Sequence, residues 1–542
     1  MAQQAAVVSA HPLATEAGVL VLQAGGNAFD AAVAVSAALA VVEPYSSGLG
    51  GGGFWLLHRA RDGYQVMIDG RERAPLAAGA DMYLDEHGQV TPGASIDGPL
   101  AAGIPGEPAA LAHIARHYGR LPLEVSLAPA IILARDGFPV DPVYRRMARL
   151  REAPLRADPA AAAQFLPGGE IPAEGDILTQ ADLADTLTAI AQRGARAFYR
   201  GEIAARLVDA VRAKGGIWSE RDLHDYAVVE RTPIVTHFHG YRVVGAALPS
   251  SGGILLAQML TMLADWPLDA LGPVDRVHLL VEVMRRAYAD RARYLGDSDQ
   301  VHVPLAHLLS PGYAIRLARQ IDLQHATPSA GSSVAVGEGR DTTHFSILDR
   351  EGNRVAATLS INYPFGSGFV ASGTGVLLND EMDDFSLKPG VANAYGLVGS
   401  GANAIAPGKR MLSSMSPTFA ERADRIVILG TPGGSRIISM VLLGLLDGLD
   451  GSPAAEIVAR GRFHHQYLPD RIEVEPGALS EEVLSGLQRR GHTIRRLEEP
   501  YGNMQLIVWD LGDDRVTTAS DPRGIGSGRV FGAARPAKPA SP

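Results

Sequence analysis

Cysteine is absent from the 542 residues, which excludes a disulfide framework, a thiolate-held zinc and a cysteine nucleophile. That absence leaves the redox compartment open, because a secreted protein can also lack cysteine. Long apolar runs are missing too: the longest, residues 31–42, is interrupted by Ser36 and falls well short of the ~20 residues a spanning helix requires. No membrane partner is expected. The opening MAQQAAVVSAHPL carries no Lys or Arg ahead of an apolar stretch and does not read as a secretory leader. As given, the chain reads as cytoplasmic, with a periplasmic or secreted place open if a leader lies outside this numbering. Basic runs are lacking as well. The 49 Lys and Arg against 59 Asp and Glu leave a net charge of −10, and no stretch is built to neutralise a row of phosphates. Nucleic acid is not an expected partner. Nor is there a G-x-S-x-G, so a nucleophile-elbow hydrolase finds no support.

What is present is ordinary globular composition, 46% apolar and 20% charged. At ~150 residues per domain the length allows one very large domain or three to four ordinary ones. After a strand-like Ala6-Val7-Val8, Leu13, Ala17, Val19, Leu20 and Leu22 fall at roughly helical spacing until Gly25-Gly26 stops them. A second helix, capped by Asn27 or Asp30 and running to Val42 before Pro44, is apolar almost all round and should be buried. Residues 107–215 read as helices with Arg on the wet faces, 233–246 as one alternating strand, and about 253–294 as further helices. Near residue 325 the pattern dissolves into HATPSAGSSVAVGEGRD. A hairpin follows at once, THFSILDREGNRVAATLSIN, with its turn at Asp349-Arg350-Glu351-Gly352-Asn353. Residues 532–542 are Pro/Ala-rich and read as a disordered tail.

Two motifs invite other chemistry. Gly48 to Gly53 contain G-x-G-x-x-G with Asp69 beyond, but a dinucleotide fingerprint follows a strand and opens a helix, whereas this run follows a buried helix and opens the strand-like FWLLHR. His237-Phe238-His239 would put two imidazoles on one strand face, yet no third ligand cluster accompanies them, and two polar positions on a solvated face fit as well. His464-His465 are adjacent, so their rings diverge. No cofactor and no metal are expected.

The junction of linker and hairpin, Asp341-Thr342-Thr343-His344, is chemically suggestive. A threonine hydroxyl inside a chain has no base beside it. If the bond before Thr342 is cut, the freed α-amine, with a reference pKa of ~7.7–8.0, lies on the same residue and can accept the hydroxyl proton. Taken alone, a Thr-Thr pair at a strand start fits plain β propensity equally.

Longer motifs go further. THFSILDREGNRVAATLSIN, GVLLNDEMDDFSLKPG, YGLVGSGANAIAPGKRMLSSMSPTF and TPGGSRI, with VVSAHPLATEAG, VVEPYSSGLGGGGF, GRERAP and AYADRARYLGD ahead of them, resemble the γ-glutamyltransferase (γ-glutamyltranspeptidase) family of N-terminal-nucleophile hydrolases. The likeness runs from about Val7 to Gly532. It implies an α+β fold, a four-layer αββα sandwich of the N-terminal-nucleophile hydrolase type. It also implies one precursor cut between Asp341 and Thr342 into a large subunit of residues 1–341 and a small one of 342–542, a heterodimer that stays one structural unit. Thr342 would then attack the γ-amide of a donor such as glutathione, and water or an amino-acid or peptide amine would resolve the γ-glutamyl-enzyme.

The resemblance also implies roles. Arg71, in GRERAP, matches the carboxylate-binding arginine and can grip both oxygens in a fork; as a lone Arg it would be a surface charge. Asp384, in EMDDF, looks like the partner of the donor's ammonium, with Glu381 and Asn362 completing the cage. Ser413 and Ser414 match the pair that helps hold the α-carboxylate. Gly433 and Gly434 match the backbone N–H donors for the tetrahedral oxyanion. Ser360 resembles the hydroxyl that orients Thr342, and Tyr395, in the lid loop after Lys388-Pro389-Gly390, would screen the pocket from water. Three rivals remain: an acylase or amidohydrolase whose donor lacks the α-amino group, which should have no use for Asp384 and Glu381; an inactive homologue serving as a binding protein; and a nucleotide-binding oxidoreductase.

Overall fold

Apolar side chains that alternate along the strands divide the centre of the molecule into two cores, described over residues 2–330, 342–388 and 390–532 of a computed structural model. Asp341, the linker residues 331–340, Pro389 and residues 533–542 lie outside the described residues. The first sheet orders its strands Ser527–Gly532, Gln4–Ser9, Thr343–Leu348, Arg354–Ser360, Gly52–Arg59, Tyr64–Gly70 and Val229–Arg231. The second runs Arg515–Ser520, Gln505–Asp510, Arg425–Gly430, Thr418–Glu421, Tyr241–Gly245 and Ile234–Phe238. Every pairing within these two sheets is antiparallel.

Successive side chains of a strand face opposite ways, and here both faces are apolar. Val7, Trp55, Leu57, Phe345 and Ile347 of the first sheet pack on a helical layer that includes Ala28–Val42. Ala6, Val8, Phe54, Leu56 and Leu348 pack instead towards Phe419, Ile428 and Leu506 of the second sheet. Helices Gly252–Leu263, Pro273–Tyr294 and Ile437–Leu449 share that core and close the far side. The result is the four-layer αββα sandwich. Segments from both sides of position 341 are interleaved in the first sheet: Gln4–Ser9 pairs directly with Thr343–Leu348, and Gly52–Arg59 with Arg354–Ser360.

Helix Ala28–Val42 is buried along its whole length, and Asn27 and Asp30 form a reciprocal capping box at its start. Ser36 does not break it. Its hydroxyl donates to Ala32 O (2.8 Å) and accepts from Trp55 Nε1 (3.0 Å), so the polar group in the middle of the helix is satisfied. The glycine run leads into strand Gly52–Arg59 because other backbones pass too close for side chains. A Cβ on Gly50 would lie 1.9 Å from Leu377 O, and one on Gly51 2.2 Å from Ser360 O. The glycines serve strand packing beside Ser360.

Two expectations need correction. Residues 233–246 form a hairpin, Ile234–Phe238 and Tyr241–Gly245, rather than one strand, because His239 (φ 45°) and Gly240 (φ 82°) both take the left-handed conformation of a tight two-residue turn. His239 therefore sits in the turn and shares no strand face with His237. Gly532, expected to open the tail, instead ends a strand and pairs with Gln4; the rest of the expected tail, residues 533–542, lies outside the described residues.

Candidate active site

Thr342 stands at the mouth of the strand it introduces, buried, with φ 96°. A β-branched residue in that region is strained. Its Oγ1 lies 3.1 Å from Ser360 Oγ at the end of the partner strand, and Ser360 Oγ accepts from the Asn362 N–H (2.8 Å). Asn362 turns the chain at φ 72° and donates its side-chain amide to Asp380 O. Hairpin register thus delivers both hydroxyls to one point.

That point opens on a narrow cleft lined by Arg71, Thr342, Ser360, Asn362, Glu381, Asp384, Tyr395, Ser413, Ser414 and Gly434 among others. Ten of the predicted site residues meet there. Gly433 stands one residue behind Gly434, and Asp341 lies outside the described residues.

Arg71 is fully enclosed, and its fork is not open for a ligand as the sequence reading expected. Nη1 donates to Glu381 (2.6 Å), Nη2 to Asp384 (2.5 Å) and Nε to Met411 O (3.2 Å). The physical reason is that a buried guanidinium without a counter-charge is costly. Burial opposes the Arg71 charge, but Glu381, Asp384 and Glu72 more than restore it. Burial likewise pushes Glu381 above the usual carboxylate range, with Arg71 pulling it back and Asp384 adding to the rise. Glu72, 3.5 Å from Arg71, has both oxygens buried without a hydrogen-bond partner. Burial and then Glu381 push it well above the usual carboxylate range.

Across the cleft, Ser413 and Ser414 are stitched to the start of helix Gly252–Leu263. The Ser251 N–H (2.8 Å) and hydroxyl (2.7 Å) both donate to Ser413 O. Ser414 Oγ accepts from Arg291 (3.2 Å). Gly433 (φ 134°) and Gly434 (φ 56°) precede helix Ile437–Leu449, and among the described residues neither N–H has an acceptor. Two unpaired donors at such a turn are suited to a developing oxyanion. Tyr395 covers them: a Cβ on Gly434 would lie 2.7 Å from its ring, and its hydroxyl donates to Asn362 O (3.1 Å).

Sequence reading missed Arg291, although AYADRARYLGD was singled out, and it missed Gln466, whose amide donates to Tyr395 O (3.1 Å). It also missed a buried His278, Glu282 and His492 group. There His278 and His492 hydrogen-bond each other at 2.7 Å, and Glu282 accepts from Arg285, Arg286 and the Thr327 N–H. Two guanidiniums on the carboxylate oppose a bound cation. His464 and His465 diverge, to Ser439 and Asp470.

The family model described as Gamma-glutamyltranspeptidase matches residues 14–531. The glutathione hydrolase proenzyme of Escherichia coli (strain K12) is 43% identical, over 97% of this chain and 91% of its own. The crystal structure of cephalosporin acylase from Bacillus halodurans superposes with a TM-score of 0.86 at 28% identity, covering 97% of this chain and 96% of that one. A Helicobacter pylori gamma-glutamyltranspeptidase chain superposes with a TM-score of 0.58 at 40% identity, over 59% of this chain and 92% of that one.

Proposed function

Because the chain belongs to the gamma-glutamyltranspeptidase family, we propose that it is an autoprocessed γ-glutamyltransferase and glutathione hydrolase. In the uncut chain the Thr342 hydroxyl attacks the carbonyl of Asp341, the amide C–N bond breaks as the ester forms and frees the Thr342 α-amine, and water then hydrolyses the ester to free the hydroxyl and leave Asp341 with a terminal carboxylate. The strained φ of Thr342 is defined by the preceding carbonyl carbon, so cutting that bond abolishes the torsion and relieves its strain. The freed amine then takes the hydroxyl proton, and Oγ1 attacks the γ-carbonyl of the donor. The N–H groups of Gly433 and Gly434 receive the oxyanion. The amine hands its proton to the departing nitrogen, and water or an acceptor amine cleaves the γ-glutamyl ester.

Donor docking is an exchange of ion pairs. The α-ammonium takes Asp384, which frees Arg71 Nη2 for the α-carboxylate, and no buried charge is left unpaired. The observation that carries this reading is the Thr342–Ser360 contact of 3.1 Å inside the cleft that Arg71, Asp384 and Gly434 line. Similarity to a cephalosporin acylase supports a second reading, an amide donor without the amino group. Such a donor offers nothing to Asp384, whose side chain is 14% exposed at the cleft. A denaturing gel with N-terminal sequencing tests the cut: bands of roughly 36 and 21 kDa are expected, the smaller beginning Thr-Thr-His-Phe. A single intact band after long incubation overturns it. Faster turnover of a γ-glutamyl than of a glutaryl p-nitroanilide separates the two readings, and the reverse preference favours the acylase.

A further inference from the structure

Arg291 lies in the last turn of helix Pro273–Tyr294 and is 5% exposed. Its neighbours are hydroxyls: Nε donates to Ser251 Oγ (3.0 Å) and Nη2 to Ser414 Oγ (3.2 Å). Among the described residues no carboxylate stands within ion-pair distance of it. Other buried arginines around the site do have acids, Arg71 with Glu381 and Asp384, and Arg436 with Glu473. An interior guanidinium with no counter-ion is expensive to keep, and burial pulls its charge down while Asp384 supports it and Arg71 opposes it. The cleft's charges explain why it is kept. Arg71 alone faces two acids at hydrogen-bond distance, so without Arg291 the Arg71, Glu381 and Asp384 group carries one net negative charge whenever both acids are ionised. That is a poor receptor for an α-carboxylate. With Arg291 the group is neutral, two cations and two anions, which is the complement of a zwitterion.

Resting on the γ-glutamyl donor reading, we infer that Arg291 is the positioning and counter-charge residue of the α-carboxylate subsite, fixing the Ser414 hydroxyl and supplying the positive charge that Arg71 alone does not. Its counter-ion is the donor's carboxylate.

The test compares p-nitroanilide release from three donors by the cleaved wild-type protein and by Arg291→Gln and Arg291→Lys: γ-glutamyl, glutaryl (carboxylate without ammonium) and 4-aminobutyryl (ammonium without carboxylate). Arg291→Gln should raise KM tenfold or more for γ-glutamyl and glutaryl donors, change kcat less than threefold, and leave the 4-aminobutyryl donor within twofold. Arg291→Lys should recover most of that loss. An equal loss on all three donors, or no rescue by Lys, assigns Arg291 a purely structural role and overturns the inference. So does an unchanged KM for γ-glutamyl donor. If wild type prefers glutaryl to γ-glutamyl, the proposed function fails while the Arg291 inference is still judged on the glutaryl donor, which carries the same carboxylate. Autocleavage of both variants on the gel confirms folding.

Discussion

Arg71→Ala removes the one cation that holds Glu381 and Asp384 together, and the structure sets the size of the effect. Three hydrogen bonds are lost, to Glu381, Asp384 and Met411 O. Breaking a buried ion pair from one side costs about 3–5 kcal/mol, because the remaining charge is stranded. The two acids do not suffer equally. The Asp384 side chain is 14% exposed and reaches water, whereas that of Glu381 is 1% exposed and cannot. Most of the cost therefore falls on Glu381. It is already raised by burial and restrained by Arg71, so the substitution raises it further. An acid whose folded form holds its proton more tightly than the unfolded chain loses stability as pH rises above the ordinary carboxylate range. The deficit of Arg71→Ala should thus be full at pH 8 and much smaller near pH 5, where Glu381 is neutral in the folded variant. Adding Glu381→Gln should return at least half of the pH 8 loss. The assay is urea denaturation in a Thr342→Ala background, so that a single uncut chain unfolds, followed by tryptophan fluorescence at both pH values. A deficit equal at pH 5 and pH 8, with no recovery in the double variant, would refute the ion-pair reasoning.

Thr342→Ala should run as one band near 57.1 kDa and release nothing from a γ-glutamyl donor; cleavage at the same bond would sink the maturation mechanism. Gly434→Ala places a methyl group 2.7 Å from the Tyr395 ring at a φ of 56°. With about 1–2 kcal/mol against an L side chain there, kcat/KM should fall about tenfold or more, and a wild-type value would show that the lid does not rest on this glycine. Burial pushes Glu43, which accepts from the Thr343 hydroxyl at 2.7 Å, up to about 7. Its folded form keeps a proton that the unfolded chain has lost, so stability falls as pH rises from about 4.5 towards 7 and is level beyond. Glu43→Gln should abolish that decline, worth roughly 3 kcal/mol, as read from urea midpoints across pH; superimposable profiles for the two proteins would reject it.

Local signals were legible wherever one residue decided the outcome. Asn27 caps, Pro44 follows the helix end, and Gly352 turns the hairpin at φ 90° because those residue types admit few alternatives. The alternation at 233–246 concealed a turn because His239 is a side chain that sequence pattern assigns to a strand, and only the Gly240 beside it hinted otherwise. The site was legible through motifs, which identify residues without saying which charge answers which. Arg71 and Asp384 are 313 positions apart, and Arg291 and Ser414 are 123. No spacing rule connects such pairs, because they meet only where the hairpin, the glycine turn and the end of a long helix converge. Their pairing follows from a constraint on the folded molecule: charges taken out of water must be neutralised by something. An interior built to receive a zwitterion must therefore carry both signs before the zwitterion arrives, and the acids close on Arg71 until an ammonium claims one of them. Arg291 is the remainder of that account. Among the described residues it has no carboxylate partner, and on the inference drawn for Arg291 that partner is the carboxylate of the donor.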